Sequence, residues 1–202
     1  MPGEFDVAAL YIDPRGPYPK MPGVDCYDEE RNAEMYAGPW PVVAHPPCGP
    51  WGRLRHLSTN DAPEHALHAI AIVREFGGVL EHPRGSLLWK ALDLPAPGES
   101  DAFGFTIEVA QVEWGHVARK VTWLYLVGVP WSAIERPPFP GREPTHWVTS
   151  FRSTTSDTPK RYKQNGSAVP VGIKVCSAQQ RRRTPPLFAE YLVRLARSAR
   201  AR

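Results

Sequence analysis

The chain has 202 residues, 42% of them hydrophobic, which is enough to bury the core of one domain. Its longest apolar runs, such as 121–129, are far too short to span a membrane, and the N-terminus lacks a signal-peptide pattern, so we expect a soluble cytoplasmic protein. The net charge of +3 is uneven, because residues 1–141 carry 11 Lys and Arg against 18 Asp and Glu, whereas 142–202 carry 13 against 3.

The first predicted element is a strand at 6–12, buried on both faces, which ends in a turn-rich segment at 13–19. A polar and apolar alternation at 25–28 leads to a predicted helix start at 28–31, where acidic residues suit the first turn. The second strand is predicted at 42–45. In open α/β sheets, ligands bind where such strands end.

Cys48 follows the second strand in a loop of prolines and glycines. The β-branched residues Val42 and Val43 favour a buried strand, and Pro46 and Pro47 stop it, so the thiol is predicted to lie on a rigid loop. A helix is predicted from a start signal at 58–64 through Glu75, and two glycines end it.

Glu81 occupies the end of the next predicted strand, just before Pro83. A carboxylate at the end of a buried strand is costly unless it is paired or used in chemistry. The remaining predicted elements are a short helix at 86–92, strands at 103–111 and 122–129, loops at 130–144 and 149–166, and an amphipathic helix at 185–199.

Three loops are therefore expected on one rim of the sheet: those that carry Cys48, Glu81 and residues 114–120. The fold class predicted is α/β, with a largely parallel, Rossmann-like sheet, helices on both faces and a basic C-terminal extension. The basic segment favours a polyanionic partner, because clustered Lys and Arg release counterions from a phosphate backbone. A solvated basic terminus is the alternative.

A thiol and a carboxyl group on rigid loops suit attack on an electrophilic ring carbon. A thiolate can add to C6 of cytosine while a carboxylic acid hydrogen-bonds N3 and the exocyclic amine, which makes C5 nucleophilic. Two other interpretations stay open. One is a metal site of His45, Cys48, His82 and His116, although the His45 to Cys48 spacing matches no paired ligand pattern. The other is a cysteine that only packs.

Three ordered motifs resemble the DNA cytosine-C5 methyltransferase family. They are Pro46-Pro47-Cys48 after a strand, Glu81-His82-Pro83 after the next strand, and the segment 110–128. The resemblance runs from about residue 6 to 128, with a further helix at 184–196, and such compact forms are similar to proteins of phages and prophages. It implies a catalytic domain at 1–141 and, at 142–202, a DNA-contacting segment whose helix packs back on that domain.

The resemblance implies roles for single residues. Cys48 would be the nucleophile to C6 and Glu81 the partner of N3. Lys120 aligns with the first of two family arginines that bind the base O2 and the backbone, and Arg119 stands beside it. Thr122 replaces the second arginine, so that contact departs from the family pattern.

The segment 13–19 departs from the family's glycine-rich loop for S-adenosylmethionine. The donor is expected to be S-adenosylmethionine in a remodelled pocket, with methylene-tetrahydrofolate, which would yield hydroxymethylcytosine, as the alternative. The candidate cofactor contacts are Asp13, Arg15, Gly16, Tyr18 and Asp28. Arg15 and Tyr18 have the alternative role of pinning the loop.

A separate target-recognition domain is also missing, so we expect a monomer that binds DNA mainly through phosphates, with low sequence specificity, and flips the base out. The DNA-binding candidates are Trp51, Arg53, Arg55, Trp114, Lys160, Arg161, Lys163, Arg181, Arg182 and Arg183. Both tryptophans have core packing as the alternative.

No metal is expected. Two other functions stay open, a non-catalytic DNA-binding protein on the same scaffold and an enzyme acting on free nucleotides.

Overall fold

A computed structural model describes residues 5–52, 62–148 and 174–200, together with the backbone of 163–164 and 167–168. Six strands form its main sheet, in the spatial order β2-β1-β3-β4-β6-β5. These strands are β1 (Val7–Leu10), β2 (Val24–Tyr27), β3 (Val42–Ala44), β4 (Gly78–Pro83), β5 (Gly104–Ala110) and β6 (Val121–Val127).

Strand β6 alone runs against the others. Strand β1 pairs in parallel with β2 and β3, and β3 pairs in parallel with β4, whereas β6 is antiparallel to both β4 and β5. The ends of β1 to β5 and the start of β6 therefore lie at one edge, which we call the carboxyl edge. The predicted α/β class and mostly parallel sheet are confirmed, but the sheet is mixed because β6 is reversed.

Four α-helices accompany the sheet in the described residues: α1 (Glu64–Phe76), α2 (Leu87–Ala91), α3 (Ala178–Arg182) and α4 (Pro186–Arg197). Helix α1 connects β3 to β4 and packs on one face, and α4 packs on the other. Gly77 ends α1 with φ of 78°, and Gly78 follows at 118°. A Cβ on Gly78 would lie 2.0 Å from the Val42 carbonyl oxygen, so only glycine allows this close strand pairing.

The core on the α4 face joins the sheet to the C-terminal helix. Phe188, Leu192 and Leu195 of α4 are fully buried against strand residues such as Val43. Helix α4 comes from the basic C-terminal segment, so that segment completes the core of the sheet, as the predicted amphipathic helix implied.

Side chains on β4 alternate between the two faces. Val79 belongs to the core on the α4 face and Leu80 to the core on the α1 face. Glu81 therefore points to the α4 side of the sheet, and His82 points to the α1 side, where its ring stacks near Trp89.

The predicted helix start at 28–31 is wrong, and β2 was not predicted as a strand. Residues 29–32 form turns, because an Asp28 carboxylate oxygen accepts the backbone N–H groups of Glu30 and Arg31 in place of helical hydrogen bonds. Just before them, Val24–Tyr27 pairs with β1 and forms the edge of the sheet.

Two short strand pairs lie in the basic segment. Strand β7 (His146–Trp147) pairs in parallel with β10 (Lys174–Val175), and β8 (Lys163–Gln164) pairs with β9 (Ser167–Ala168). Most of the predicted loop at 149–166 lies outside the described residues. Within the described part of the chain, no helix is both long and apolar enough to cross a membrane.

Replacing Trp114 by alanine should lower the free energy of unfolding by about 3–5 kcal/mol, since it empties a buried aromatic site. Trp114 is 4% exposed and stacks on Tyr191, with ring centroids 4.1 Å apart at 11°. Chemical denaturation measures the loss. Trp131→Ala is the matched control, because Trp131 stacks on Phe105 but is 58% exposed, and its loss should be smaller. Equal losses would contradict the core role of Trp114.

Candidate functional site

The candidate site lies at the carboxyl edge, on the α4 side of the sheet. His45 follows β3 directly and stays in register with β1, because its N–H donates to the Leu10 carbonyl at 3.0 Å. Cys48 comes three residues later, and Glu81 lies near the end of the adjacent strand β4. Two neighbouring parallel strands thus bring the thiol loop and the carboxylate to one place, as the sequence predicted.

Both carboxylate oxygens of Glu81 are hydrogen-bonded. His45 Nδ1 lies 2.9 Å from Oε2, and the Gln111 amide nitrogen donates to Oε1 at 3.0 Å. On its other side, His45 Nε2 lies 2.6 Å from the Tyr18 hydroxyl. Four side chains, those of Tyr18, His45, Glu81 and Gln111, therefore form one chain of hydrogen bonds, which we call the Tyr18–Gln111 chain.

Lys120 completes the site from the start of β6. Its backbone has φ of 33°, a left-handed conformation that is strained for a side chain with a Cβ. Its carbonyl accepts the Gln111 backbone N–H at 3.3 Å and the Thr122 hydroxyl at 3.2 Å. The Gln111 side chain also donates to Thr122, at 2.9 Å. Gln111 therefore both binds Glu81 and, together with Thr122, holds the Lys120 backbone in place.

Glu81 is ionised although it is only 9% exposed. Burial raises the pKa of this carboxyl, but the charge of Lys120 and the hydrogen bond from His45, with smaller contributions from the His45 and His82 imidazoles, outweigh burial and bring the pKa to about 2. The positive charge at Lys120 is therefore the largest single contribution that keeps Glu81 as a carboxylate.

The Cys48 thiol is exposed at the edge of this charged group. Its pKa lies above the ordinary value, first because the surrounding protein desolvates the thiolate and second because Glu81 is negative. The charges of Lys120 and Arg182 act the other way and lower that pKa. A bound group that neutralises Glu81 would therefore favour the thiolate.

His82 supports the site from the opposite face of the sheet. Its Nδ1 lies 2.7 Å from the Ser86 hydroxyl, and its ring is 1% exposed. Burial lowers the pKa of His82 to about 4, against the effect of the Glu81 charge and of the Pro47 backbone. His82 is therefore neutral at pH 7 and packs beneath the Cys48 loop.

The basic helix α3 is tied to the same edge by His116. The Ala118 N–H donates to His116 Nδ1 at 2.9 Å, which leaves Nε2 to donate to the Gln180 carbonyl at 2.9 Å. Burial and the nearby cations lower the pKa of His116, which suits this neutral form. Arg182 and Arg183 of this region are exposed, so positive charge lies beside Cys48.

The predicted cofactor residues are mostly engaged with one another. Asp13 accepts from the Arg15 backbone at 2.9 Å and from its guanidinium at 3.2 Å, and the Gly16 N–H donates to the Asp13 carbonyl. Tyr18 is 2% exposed and bound to His45, and Asp28 caps its own turn. A glycine-rich cradle offers free backbone N–H groups to its ligand. The 13–19 loop does not fit such a cradle for S-adenosylmethionine.

The predicted DNA-binding residues divide into two groups. Trp114 is a core residue, whereas Trp51 is half-buried and, with Leu87 and Lys90, lines a cavity of about 440 Å³ beside the Cys48 loop. Arg119 is exposed and lines a different cavity, of about 330 Å³, over β5. The predicted contacts outside the described residues are Arg53, Arg55, Lys160 and Arg161, and of Lys163 only the backbone is described.

The sequence did not predict that His45, Gln111 and Thr122 take part in the site around Glu81. His45 was considered only as a metal ligand, and Gln111 and Thr122 only as parts of a motif. Their signal was position, since each lies at a strand end. Among the described residues, no group of three or more His, Cys, Asp and Glu side chains is arranged to hold a metal ion.

The fold and the site together define an α/β protein with an exposed thiol and a buried, ionised carboxylate at one sheet edge. No family model, curated protein or solved structure matches the chain. Its function is therefore inferred from the residues of the site.

Lys120→Met should slow alkylation of Cys48 by iodoacetamide several-fold at pH 8, because loss of the positive charge raises the pKa of the thiol. Glu81→Gln should have the opposite effect. Peptide mass spectrometry resolves the rate at each cysteine. Cys26 is the internal control, because its pKa of about 11 is set by burial and by Asp25 and Arg31. A Cys48 rate that does not change relative to Cys26 would contradict this charge arrangement.

The free energy of unfolding should decrease as the pH falls from 6.5 to 4, by an amount on the order of 3 kcal/mol from His82. In this range His82 takes up a proton in the unfolded chain but not in the folded protein, so its contribution to stability is fully present above pH 6.5. His82→Gln should reduce the slope of stability against pH. The slope that remains comes in part from His116, whose pKa is also lowered by folding. Denaturation series at several pH values measure the slope. An unchanged slope in the variant would contradict the buried neutral state.

Proposed function

We propose that this protein modifies cytosine at C5 in DNA, using a Rossmann-like methyltransferase sheet as its scaffold. The observation that carries the proposal is the placement of an exposed thiol, Cys48, and an ionised carboxylate, Glu81, at the ends of neighbouring parallel strands. These are the two groups that addition to a cytosine ring requires. Lys120 lies beside both, as its charge acts on each of them.

In this proposal the Cys48 sulfur forms a bond to C6 of the ring. The π electrons of the C5–C6 bond move to C4–C5, those of C4–N3 move to N3, and N3 takes a proton from Glu81. Because Glu81 is ionised in the free protein, it must gain this proton before the step. C5 is then nucleophilic and would form a bond to the carbon of a one-carbon donor as the bond from that carbon to its carrier breaks. Loss of the C5 proton to water and departure of the thiolate restore the aromatic ring, and N3 returns its proton to Glu81.

Lys120 has two functions in this scheme. It lowers the pKa of the Cys48 thiol, and its ammonium group stabilises negative charge that develops on the ring and at O2 during addition. The strained backbone of Lys120, held by Gln111 and Thr122, fits a residue whose position matters for chemistry.

The location of the site supports a ligand-binding role. The chain moves from β1 outward to β2 and then back to β3 on the other side of β1, so the strand order reverses between β1 and β3. In open α/β sheets, ligands bind outside the carboxyl ends of the strands at such a reversal. Tyr18 and His45 lie at this point, next to Cys48.

DNA is the proposed substrate because Lys120 and Arg182 place positive charge near the thiol, in addition to the negative charge of Glu81. Arg182 and Arg183 lie exposed at the end of helix α3, which His116 anchors to the carboxyl edge. A duplex held there through its phosphates would have to flip the target base outward to reach Cys48. A gel shift with duplex DNA, compared with a nucleotide competitor, separates this substrate from a free nucleotide.

The second candidate is a non-catalytic DNA-binding protein on the same scaffold. The observation that favours it is the 13–19 loop, whose Asp13, Arg15 and Gly16 bond to one another and whose Tyr18 is buried. A donor molecule finds no open cradle there. Cys48 would then have no chemical role.

In deuterated water without any donor, the protein should place deuterium at C5 of cytosine in DNA, because addition to C6 and its reversal exchange the C5 hydrogen. Mass spectrometry of the digested nucleosides measures the gain. Cys48→Ser should abolish exchange, and Glu81→Gln should reduce it by about 100-fold or more. If the wild-type protein binds DNA but neither it nor the variants exchange deuterium, the result would favour the non-catalytic candidate.

The same digest identifies the donor when S-adenosylmethionine or methylene-tetrahydrofolate is added. A methyl gain on cytosine with the first indicates a methyltransferase, and a hydroxymethyl gain with the second indicates a hydroxymethyltransferase. Cys26→Ser is the matched control, because Cys26 lies on β2 away from the carboxylate and should leave the product unchanged.

A further inference from the structure

We infer that His45 supplies the proton that Glu81 delivers to N3 of the cytosine ring, and that Tyr18 fixes His45 for this transfer. The inference rests on the proposed function and deepens it. It assigns His45 a role through Glu81, so His45 is a positioning and proton-holding residue that does not itself touch the base.

The geometry of the Tyr18–Gln111 chain carries the inference. His45 is the only titratable side chain described as hydrogen-bonded to Glu81, at 2.9 Å through Nδ1. Gln111, on the other carboxylate oxygen, can donate a hydrogen bond but cannot release a proton at neutral pH. Among the residues that the structure describes, His45 is therefore the one hydrogen-bonded group from which Glu81 can take a proton.

Glu81 needs such a supply. Its pKa of about 2 leaves it ionised at pH 7, whereas the addition step consumes a proton at N3. When His45 is protonated, Nδ1 can pass its proton to Oε2, which converts a buried ion pair to two neutral groups. Glu81 then protonates N3, and His45 is left neutral. On elimination the proton returns from N3 to Glu81 and from Glu81 to His45.

Tyr18 holds the imidazole ring but is not the proton source. Its hydroxyl lies 2.6 Å from Nε2 and can accept from protonated His45 or donate to neutral His45 by rotation. Burial raises the pKa of Tyr18 well above its ordinary value, so the phenol keeps its proton. The other charged or titratable groups that act on this pair are Lys120, Cys48 and His82.

The test uses His45→Gln, which can bond to both neighbours but carries no transferable proton. Deuterium exchange at C5 should fall by about 100-fold or more, while the affinity for DNA and the unfolding temperature stay at wild-type values. In a protein that already carries Glu81→Gln, adding His45→Gln should change the rate by less than about threefold, because His45 acts through Glu81.

Tyr18→Phe is the matched second variant. It keeps the imidazole and removes one anchoring hydrogen bond, so it should lower the rate less than His45→Gln. A His45→Gln protein with a rate within about threefold of wild type, or a further large loss when His45→Gln is added to Glu81→Gln, would overturn the inference while leaving the covalent function standing. Absence of exchange in wild type itself would overturn the proposed function, and with it this inference.

Discussion

The buried carboxylate of Glu81 is the interaction on which the rest of the site depends. An ionised group at the end of a central strand is costly to desolvate unless it is paired and hydrogen-bonded. Here His45, Gln111 and Lys120 provide those partners, and each comes from a different part of the chain. The carboxylate therefore connects the ends of β3 and β5 and the start of β6 to the end of β4. Removing it would deprive Lys120 and His45 of their negatively charged neighbour.

The surrounding structure is consistent with that constraint. Lys120 adopts a left-handed backbone conformation, and the Gln111 and Thr122 groups that hold its carbonyl also connect to Glu81. On the other face, neutral His82 packs under the Cys48 loop. The arrangement keeps one negative charge in a fixed position next to a thiol that solvent can reach, and this combination is typical of sites in which a charge changes during a reaction.

Much of the fold was predictable because hydrophobic patterns and turn residues are local signals. The buried runs around Val7, Val42 and Val79 gave strands, and the Gly77-Gly78 pair marked the end of α1. Strand β2 was missed because its alternation is short and it is stabilised by pairing with β1. For the site, proline loops and an isolated carboxylate located Cys48 and Glu81. The role of His45 was not predictable, since it depends on the register of β3 against β4 and on the path of the Tyr18 loop.

The position of α4 has a consequence for how the chain folds. Helix α4 covers β1, β3 and β4, and an ion pair joins Arg197 near its end to Asp6 before β1, across 191 residues of sequence. Contacts of such high sequence separation are slow to form. During synthesis the sheet face that carries Glu81 lacks this cover until α4 has left the ribosome. The apolar side chains of that face are therefore exposed in the growing chain, which favours aggregation until α4 packs on them.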